Sequence, residues 1–477
     1  MRRPVERIAV FGGGIVALSA ACAVARALPN VAVSLVTTPP DPAALADRLP
    51  GSLPAIHAFH DAIGFPEAEL IRKAGAAPRL AIRFENWSAS GAPWWHACGP
   101  FDPPGLPFHW QIAHDAGDPT PLDALHPGAA LAAAGRFDPA SEHALTLDPD
   151  GYRAGLAALA RHRRVALTEG TVAALDRQAD GRVAAVLLTD GRRIAADLFI
   201  DATGPAAALL ARLDAAFEDW GALLPCDRLL LARSAPALSP VETVAALDCG
   251  WRWRTPGRGA SLDGLAWASV LTSADEAARR FTAETGLAPA ETIAFRPGRR
   301  RASWVANVVG IGDAAVTVDP LHATNLHLAH SAILRAIDLM PDRDFAPPLI
   351  AEYNRRTAAE TARVRDFLAA HYARSGRGDG ELWRAAAAAP LSDSLARTLA
   401  LFEARGRLPH FDEESFARAD WQQALLGLGI TPRRHDPAAL AMPAGERAML
   451  LAMTARRVAA TVAAALPCHV ALAKMLN

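Results

Sequence analysis

The sequence predicts an α/β fold: a βαβ, Rossmann-like domain with an inserted antiparallel sheet and a helical C-terminal region. Three observations predict it. The apolar run Ile8–Phe11 precedes a glycine turn, an apolar helical pattern over Ile15–Leu28 and a second apolar run at Val31–Val36. Alternating apolar and polar stretches fill 165–201, which is typical of strands. From about 347 onward the chain is rich in Ala and Arg, which favour helix.

Length sets the expected domain organisation. A chain of 477 residues is long enough for two or three domains or one large core with insertions. We expect a nucleotide-binding domain over 1–345, interrupted by substrate-side segments at about 41–149 and 205–300. A helical region over 346–477 follows it.

Composition excludes several function classes. The 49 Lys and Arg against 50 Asp and Glu give a net charge of −1, which argues against a nucleic-acid partner. No apolar stretch is long enough to predict a membrane span. The five cysteines lack the spacing of a metal site, so we expect no metal and reduced thiols in the cytoplasm.

The first βα turn carries a dinucleotide fingerprint. Gly12-x-Gly14-x-x-Ala17 provides a tight turn, a close approach of backbone to a pyrophosphate, and an allowed Ala at the third site. A plain turn is the alternative. The second strand ends in Thr37 and Thr38 where an acid would usually bind the ribose, and a Thr hydroxyl can form that hydrogen bond less strongly.

The elements that follow are predicted from periodicity and turn residues. The turns are Ala179-Asp180-Gly181 and Asp190-Gly191. The expected elements are a helix near Pro54–Ile63, a helix over Gly151–Arg161, strands over Val165–Leu167, Val172–Asp176, Val183–Thr189, Arg193–Ala195 and Leu198–Asp201, a second sheet layer over about 223–300, and a buried strand over Val305–Gly312.

Two further segments are typical of dinucleotide binding. Asp197–Gly204 (DLFIDATG) joins a buried strand to a glycine turn. Gly312-Asp313 follows the buried strand, and Asp313 can accept a hydrogen bond from a sugar-like hydroxyl. Asp319-Pro320 then sets a turn before a helix start.

Taken together, these motifs resemble one family. Gly250–Pro256 (GWRWRTP) matches the signature WxWxIP with Thr255 in place of Ile, and Ala81–Trp87 (AIRFENW) and Gly427–Arg434 (GLGITPRR) add further matches. The chain resembles the flavin-dependent tryptophan halogenases of the FAD monooxygenase superfamily, which have a p-hydroxybenzoate hydroxylase-like fold. The resemblance covers nearly the whole length.

The resemblance implies a function. In this family reduced FAD, supplied by a separate flavin reductase, reacts with O2 and with chloride or bromide, and hypohalous acid then reaches a lysine beside an aromatic substrate. We therefore expect an oxidoreductase that acts on a tryptophan- or indole-like molecule. The expected partners are that small substrate and a flavin reductase, and a homodimer stays open.

The resemblance also assigns residues. Those expected to bind the cofactor are Gly12, Gly14, Ala17, Thr37, Thr38, Val172, Asp313 and Leu326. Those expected at the halide are Thr324 and Asn325, and those expected to wall the passage between flavin and substrate are Trp251 and Trp253. The aromatic and histidine side chains Trp94, Trp95, His96, His109 and Trp110 either line the substrate pocket or pack in the core.

The catalytic positions depart from the family pattern. Arg79 stands where the family has its lysine, and His322 stands where it has a glutamate. Arginine is always protonated, so it can donate hydrogen bonds to hypohalous acid but is a poor nucleophile. Histidine can act as a base near neutral pH. Asn325 replaces a glycine of the halide cradle. The alternative is a flavin-binding protein of the same fold without halogenase activity, either monooxygenase-like or non-catalytic.

Overall fold

Strands and helices follow one another in a mixed α/β order. The computed structural model describes residues 3–476. The strands are β1 Arg7–Phe11, β2 Ala32–Thr37, β3 Ala77–Arg79, β4 Ala81–Glu85, β5 Trp94–Ala97, β6 Arg136–Phe137, β7 Ala144–Thr146, β8 Ala166–Glu169, β9 Val172–Arg177, β10 Val183–Leu188, β11 Arg193–Ala195, β12 Leu198–Asp201, β13 Phe217–Asp219, β14 Arg228–Ser234, β15 Val241–Leu247, β16 Gly250–Thr255, β17 Ser261–Trp267, β18 Glu291–Ala294, β19 Gly298–Arg300, β20 Trp304–Val305, β21 Val308–Gly310, β22 Val316–Thr317 and β23 Leu466–Pro467.

The helices are concentrated in the C-terminal third, as the sequence predicts. They are α1 Ile15–Ala27, α2 Ile56–Ile63, α3 Glu67–Lys73, α4 Leu106–Asp115, α5 Pro127–Ala133, α6 Pro149–His162, α7 Ala274–Thr285, α8 Thr324–Asp338, α9 Pro347–Ala373, α10 Glu381–Ala388, α11 Asp393–Arg405, α12 Arg418–Gly427, α13 Pro437–Leu440, α14 Ala444–Ala464 and α15 Cys468–Leu476. Among the described residues, none of these helices has the length and hydropathy needed to cross a bilayer.

Residue contacts divide the chain into two units. The first unit comprises 1–76, 147–221 and 293–362, and the second comprises 77–146, 222–292 and 363–477. Each unit is therefore built from three separate stretches of chain. The predicted domain boundaries near 41, 149, 205, 300 and 345 stay a prediction.

The first unit is built on a sheet in the order β20-β21-β12-β1-β2-β8, which is parallel except for the antiparallel edge strand β20. β1 lies between β12 and β2 and runs parallel to both, so that Val10 faces Ile200 on one side and Leu35 on the other. Both faces of such a sheet are buried, which is why β1 reads as a continuous apolar run and why α1 buries its first ten residues. The predicted α/β fold class with its βαβ opening is confirmed.

Two segments of the first unit differ from the expected strands. Residues 166–169 form β8, which extends the parallel sheet beside β2 and does not join the antiparallel strands β9–β11. The expected strand over 305–312 is broken into β20 and β21 by a turn in which Ala306 has φ 52°. That turn is fixed by Asn307, whose side chain bonds both the N–H and the carbonyl of Val183 at 2.8 Å.

The second unit contains the inserted sheet, in the order β18-β14-β17-β16-β15-β4-β5. From β14 to β5 the neighbouring strands are antiparallel except for β15 and β4, which run parallel. The stretch 41–149, which shows no clear periodicity, is more regular than expected. It contains α2 to α5 and β3 to β7, most of them too short to leave a periodic pattern.

Candidate active site

The glycine turn after β1 is shaped by close backbone contacts. Gly12 has φ +149°, and a Cβ there would overlap the carbonyl oxygen of Ala202. The same atom would lie 2.8 Å from Cβ of Ala17, so neither position has room for a larger side chain. Gly14 is the N-cap of α1, whose first N–H groups have no partner within the helix. The turn therefore places Gly12, Gly14 and Ala17 at one helix N-terminus.

A carboxylate of the chain itself lies at this N-terminus. Asp47 Oδ1 accepts a hydrogen bond from the N–H of Val16 at 2.8 Å, and the N–H of Ile15 also donates to this carboxylate. A Cβ on Gly14 would overlap Asp47 Oδ2. Burial raises the pKa of Asp47 from 3.8 to about 6. The turn accepts an anionic group, as a pyrophosphate-binding turn must, so its residues fit FAD.

Asp313 lies nearby in the first unit, in the short turn after β21. Its Oδ2 accepts a hydrogen bond from the N–H of Ala46 at 3.0 Å, and its Oδ1 accepts one from the Thr317 hydroxyl at 2.9 Å. Burial raises the pKa of Asp313 to about 7, and the charge of Asp47 adds to this rise. A buried carboxyl that already accepts N–H and O–H donors fits a ribityl hydroxyl. Leu326, the other residue predicted near the flavin, is buried on α8.

The predicted ribose and adenine residues surround the end of β2. The Thr37 hydroxyl donates to the carbonyl of Thr168 at 3.2 Å, so it is already engaged by the neighbouring strand. Thr38 is half-buried, and its carbonyl lies where a Cβ on Gly13 would be. Val172 is buried in an apolar cluster of the parallel sheet. Their contacts to a cofactor stay predictions.

The turn before α8 holds two adjacent non-glycine residues in the left-handed region. His322 has φ 62° and Ala323 has φ 57°. Such a conformation costs on the order of 1 kcal/mol or more for each residue. It is fixed by hydrogen bonds from the Leu321 N–H to Asp319 Oδ1 and from the Ala323 N–H to the Pro320 carbonyl, both 2.9 Å. His322 is only 1 % exposed.

The predicted halide residues begin α8. The Asn325 side chain pairs with the backbone of Val318: Oδ1 accepts from its N–H at 3.0 Å, and Nδ2 donates to its carbonyl at 2.9 Å. The Thr324 hydroxyl is buried and has no hydrogen-bond partner within residues 3–476. Asn325 thus braces the turn with its side chain, which leaves the backbone N–H groups of the first helical turn for a ligand.

Arg79 lies in the second unit, at the end of β3, and is 3 % exposed. Its carbonyl accepts a hydrogen bond from the Cys98 thiol at 3.6 Å. Burial lowers the pKa of His96 to about 3, and the charges of His371 and Arg79 contribute. His96 is therefore neutral at pH 7, and its 3.5 Å contact with Asp420 is not an ion pair. Burial also raises the pKa of Asp420 to about 7.

The two tunnel tryptophans belong to an aromatic cluster of the second unit. Trp251 and Trp253 are buried, with ring centroids 5.0 Å apart. The Trp251 indole N–H donates to the Tyr372 hydroxyl at 2.7 Å. Thr255, which replaces the Ile of the family signature, donates its hydroxyl to the buried carboxylate of Glu242 at 2.9 Å. A role for the indoles in a passage stays a prediction.

Of the side chains predicted to line a substrate pocket, some pack in the core and others are partly exposed. Trp94 stacks on Phe84, with ring centroids 4.1 Å apart, as a core side chain does. The Trp110 indole N–H donates to the Thr120 carbonyl at 2.8 Å. His109 and Trp95 are partly exposed. Their part in a substrate pocket stays a prediction.

Sequence reasoning missed three acidic residues. Asp47 lies in the apolar stretch AALAD after β2, and an acid in such a stretch near a glycine turn is the signal that could have found it. Asp420 has no local signal, because its contact His96 is more than 300 positions away. Asp201 ends the predicted DLFIDATG strand, where it accepts four hydrogen bonds from Thr203, Leu209 and Leu210 and so fixes the turn.

Comparison with known proteins gives consistent matches. A family model described as tryptophan halogenase matches residues 7–444. The tryptophan 7-halogenase KtzQ of Kutzneria sp. (strain 744) is 29 % identical over 444 residues, which cover 84 % of this chain and 82 % of KtzQ. The flavin-dependent halogenase BrvH of Brevundimonas sp. BAL3 superimposes with a TM-score of 0.92 at 31 % identity, covering 99 % of both chains. The flavin-dependent halogenase Xcc4156 of Xanthomonas campestris superimposes with a TM-score of 0.93 at 30 % identity, again covering 99 % of both chains.

Proposed function

The chain belongs to the tryptophan halogenase family, and from that premise we propose how its own residues serve a flavin-dependent reaction. The protein is a FAD-dependent, halogenase-like oxidoreductase that acts on an aromatic, tryptophan- or indole-like substrate. A separate flavin reductase supplies the reduced flavin, and chloride or bromide is the halide. Arg79 and His322 occupy the positions at which the reaction is expected to differ from that of the relatives.

The observation that carries the proposal is the anion-accepting turn beside a buried carboxyl. Gly12, Gly14 and Ala17 would hold the pyrophosphate at the N-terminus of α1, and Asp313 would accept a ribityl hydroxyl. Bound reduced FAD would supply the activation of O2 that oxidises a halide. The protein provides the binding, orientation and exclusion of water.

We place the halide at the start of α8. Thr324 and Asn325 contribute backbone N–H groups of the first helical turn, which favour an anion. The buried Thr324 hydroxyl, which has no partner in the described part of the chain, could donate to it as well. The Asn325 side chain is directed to Val318, so it does not need to contact the halide.

Arg79 acts in this proposal as a fixed hydrogen-bond donor. A buried guanidinium keeps its charge and directs its N–H groups in a rigid fork. It can therefore orient hypohalous acid beside the aromatic ring, but it does not form a covalent N–halogen bond as a lysine amine can. His322 would provide an imidazole in place of a carboxylate at the other catalytic position.

The decisive test is a halide-dependent assay with reduced flavin. Purified protein would receive FAD, an NADH-dependent flavin reductase, O2, bromide or chloride, and either L-tryptophan or indole, with products detected by mass spectrometry. We expect a monohalogenated product that disappears when halide is omitted. A folded protein that takes up no FAD would contradict the proposal, whereas an oxygenated product alone would favour the monooxygenase-like alternative.

Two variants separate the role of Arg79 from its packing. Arg79→Lys restores an amine that can accept halogen, so we expect it to raise halogenation. Arg79→Met keeps a long buried side chain without a donor, so we expect it to lower product formation at unchanged thermal stability. Equal activity of wild type and Arg79→Met would exclude a catalytic role for the guanidinium.

The remaining assignments concern the cellular location and the oligomeric state of the protein. We propose a cytoplasmic location, supported by five free cysteines in the structure. A homodimer is a further proposal, and multi-angle light scattering at several protein concentrations would test it.

A further inference from the structure

One short segment covers the cofactor motifs of the first unit. We call residues 38–47 the covering segment. The carbonyl of Thr38 lies where a Cβ on Gly13 would be, and the Asp41 side chain lies 2.7 Å from where a Cβ on Gly204 would be. The covering segment thus contacts both glycine turns that follow β1 and β12.

The covering segment ends with a carboxylate at the N-terminus of α1. Asp47 accepts hydrogen bonds from the N–H groups of Ile15 and Val16, and its Oδ2 lies against Gly14. Only 8 % of Asp47 is exposed. These donors are the ones that a dinucleotide pyrophosphate uses in this kind of turn.

The same segment also engages the carboxyl predicted to bind the ribityl chain. The N–H groups of Ala46 and Leu45 donate to Asp313, at 3.0 Å for Ala46. Leu45 and Ala46 are both at most 2 % exposed. Two contacts that FAD would make, one at the N-terminus of α1 and one at Asp313, are therefore made by neighbouring residues of one short turn.

The arrangement crowds acidic groups together. Burial raises the pKa of both Asp313 and Asp47. The charge of Asp47 adds to the rise at Asp313 and that of Asp41 to the rise at Asp47, while Arg153 lowers the pKa of Asp47. Burying two carboxyls side by side opposes the ionised form of each. The covering segment is thus held in a position that an incoming anion with more hydrogen-bond acceptors can take over.

We propose that the covering segment is an internal competitor of FAD, with Asp47 occupying the place of the pyrophosphate until the cofactor displaces it. This inference rests on the proposed use of FAD. A helix N-terminus stabilises one anion at a given place, so the Asp47 carboxylate and the pyrophosphate exclude each other there. FAD binding would then be weakened by the free energy needed to move the covering segment.

The first experiment measures FAD affinity by titration with detection of flavin fluorescence. Removing the carboxylate that bonds the first N–H groups of α1 relieves the competition, so we expect Asp47→Ala to bind FAD about fivefold to tenfold more tightly than wild type. Asp47→Asn keeps an acceptor without charge, so its affinity for FAD should lie between those of wild type and Asp47→Ala. Asp61→Ala removes one exposed acidic charge of α2 and serves as the matched control, with an unchanged Kd.

ADP provides a probe that carries the pyrophosphate without the flavin. Its affinity should rise on Asp47→Ala by the same factor as that of FAD, because the Asp47 carboxylate competes only with the phosphate groups. A gain for FAD without a gain for ADP would overturn the assignment of Asp47 to the pyrophosphate place.

Hydrogen exchange gives a readout on wild type, which is needed if Asp47→Ala fails to fold. Addition of FAD should speed amide exchange in 38–48 and leave 14–17 protected. Slower exchange in 38–48 would overturn the proposal, because the segment would then close over FAD without leaving. Equal FAD affinity of wild type and Asp47→Ala would overturn it while leaving the proposed function intact. No FAD binding by any variant would overturn both.

Discussion

The first unit contains two helix N-termini, those of α1 and α8, whose first N–H groups have no acceptor within the helix. The turns before the two helices are closed in different ways. The turn before α1 is glycine-rich, and a titratable carboxylate from the covering segment closes it. The turn before α8 has no glycine; His322 and Ala323 adopt the left-handed conformation that glycine usually adopts. There the closing group is the neutral amide of Asn325.

The difference teaches what each turn can tolerate. At α1 the fingerprint residues Gly12, Gly14 and Ala17 are present, and in our proposal Asp47 can move away. That turn is therefore suited to a large ligand that binds and dissociates. At α8 the backbone is braced from within by the amide of Asn325, which does not titrate. That turn keeps its shape whether or not a small anion is present.

The largest effect is expected at Gly12, where the obstacle is backbone. Gly12→Ala places a Cβ on the Ala202 carbonyl at a φ that L residues rarely adopt, so we expect a loss of about 4 kcal/mol in unfolding free energy. Gly14→Ala meets only the end of the Asp47 side chain, which can move, and should cost less than about 1 kcal/mol. Urea denaturation measures both, and equal losses would refute the distinction.

The carboxylate at α1 makes that turn sensitive to pH. The pKa of Asp47 rises from 3.8 to about 6 on folding, so its stabilising contribution is present below pH 4 and is lost as the pH rises through 6. Between pH 4 and 8 the cofactor-free wild type should lose up to about 3 kcal/mol more stability than Asp47→Asn. Parallel stability profiles of the two proteins would contradict this.

Loss of the Asn325 side chain should lower the stability of the protein by the same amount at every pH. Asn325→Ala leaves the buried N–H and carbonyl of Val318 without their partners, which costs about 2 kcal/mol. Asn325→Asp retains the acceptor, and at low pH its protonated carboxyl also has an O–H donor, so thermal melts at low pH should place it between wild type and Asn325→Ala. A cost for Asn325→Ala that follows the titration of Asp47 would show that the two turns are not independent.

The smallest effect concerns strain before α8. Ala323→Gly relieves a left-handed alanine, so we expect a gain of about 0.5–1 kcal/mol. Ala158→Gly, at an exposed position within α6, is the control of opposite sign and should cost about 1 kcal/mol. If both variants lose stability, the left-handed turn is not strained.

The parts of the fold that could be predicted are those with strong local patterns. β1, α1 and β2 were predictable because an apolar run, glycines and a helical period follow one another without interruption. The break at Ala306 was not, because the Val305–Gly312 run is apolar almost throughout and the turn depends on a distant contact of Asn307 with Val183.

The predictions of site residues come from contiguous motifs. Gly12, Gly14 and Asp313 are proposed from short motifs, as are the departures at Arg79 and His322. The position of Asp47 at the α1 terminus depends on the path of a loop, and the contact of His96 with Asp420 joins distant parts of the chain. Neither leaves a periodic or spaced signal in the sequence.

The hydrogen bond between Thr255 and Glu242 couples two positions of this sheet for redesign. Glu242 is buried, and without the Thr255 hydroxyl its carboxylate would lose a hydrogen-bond donor. Replacing Thr255 by isoleucine would remove that donor, so a designer who makes this change has to exchange Glu242 as well.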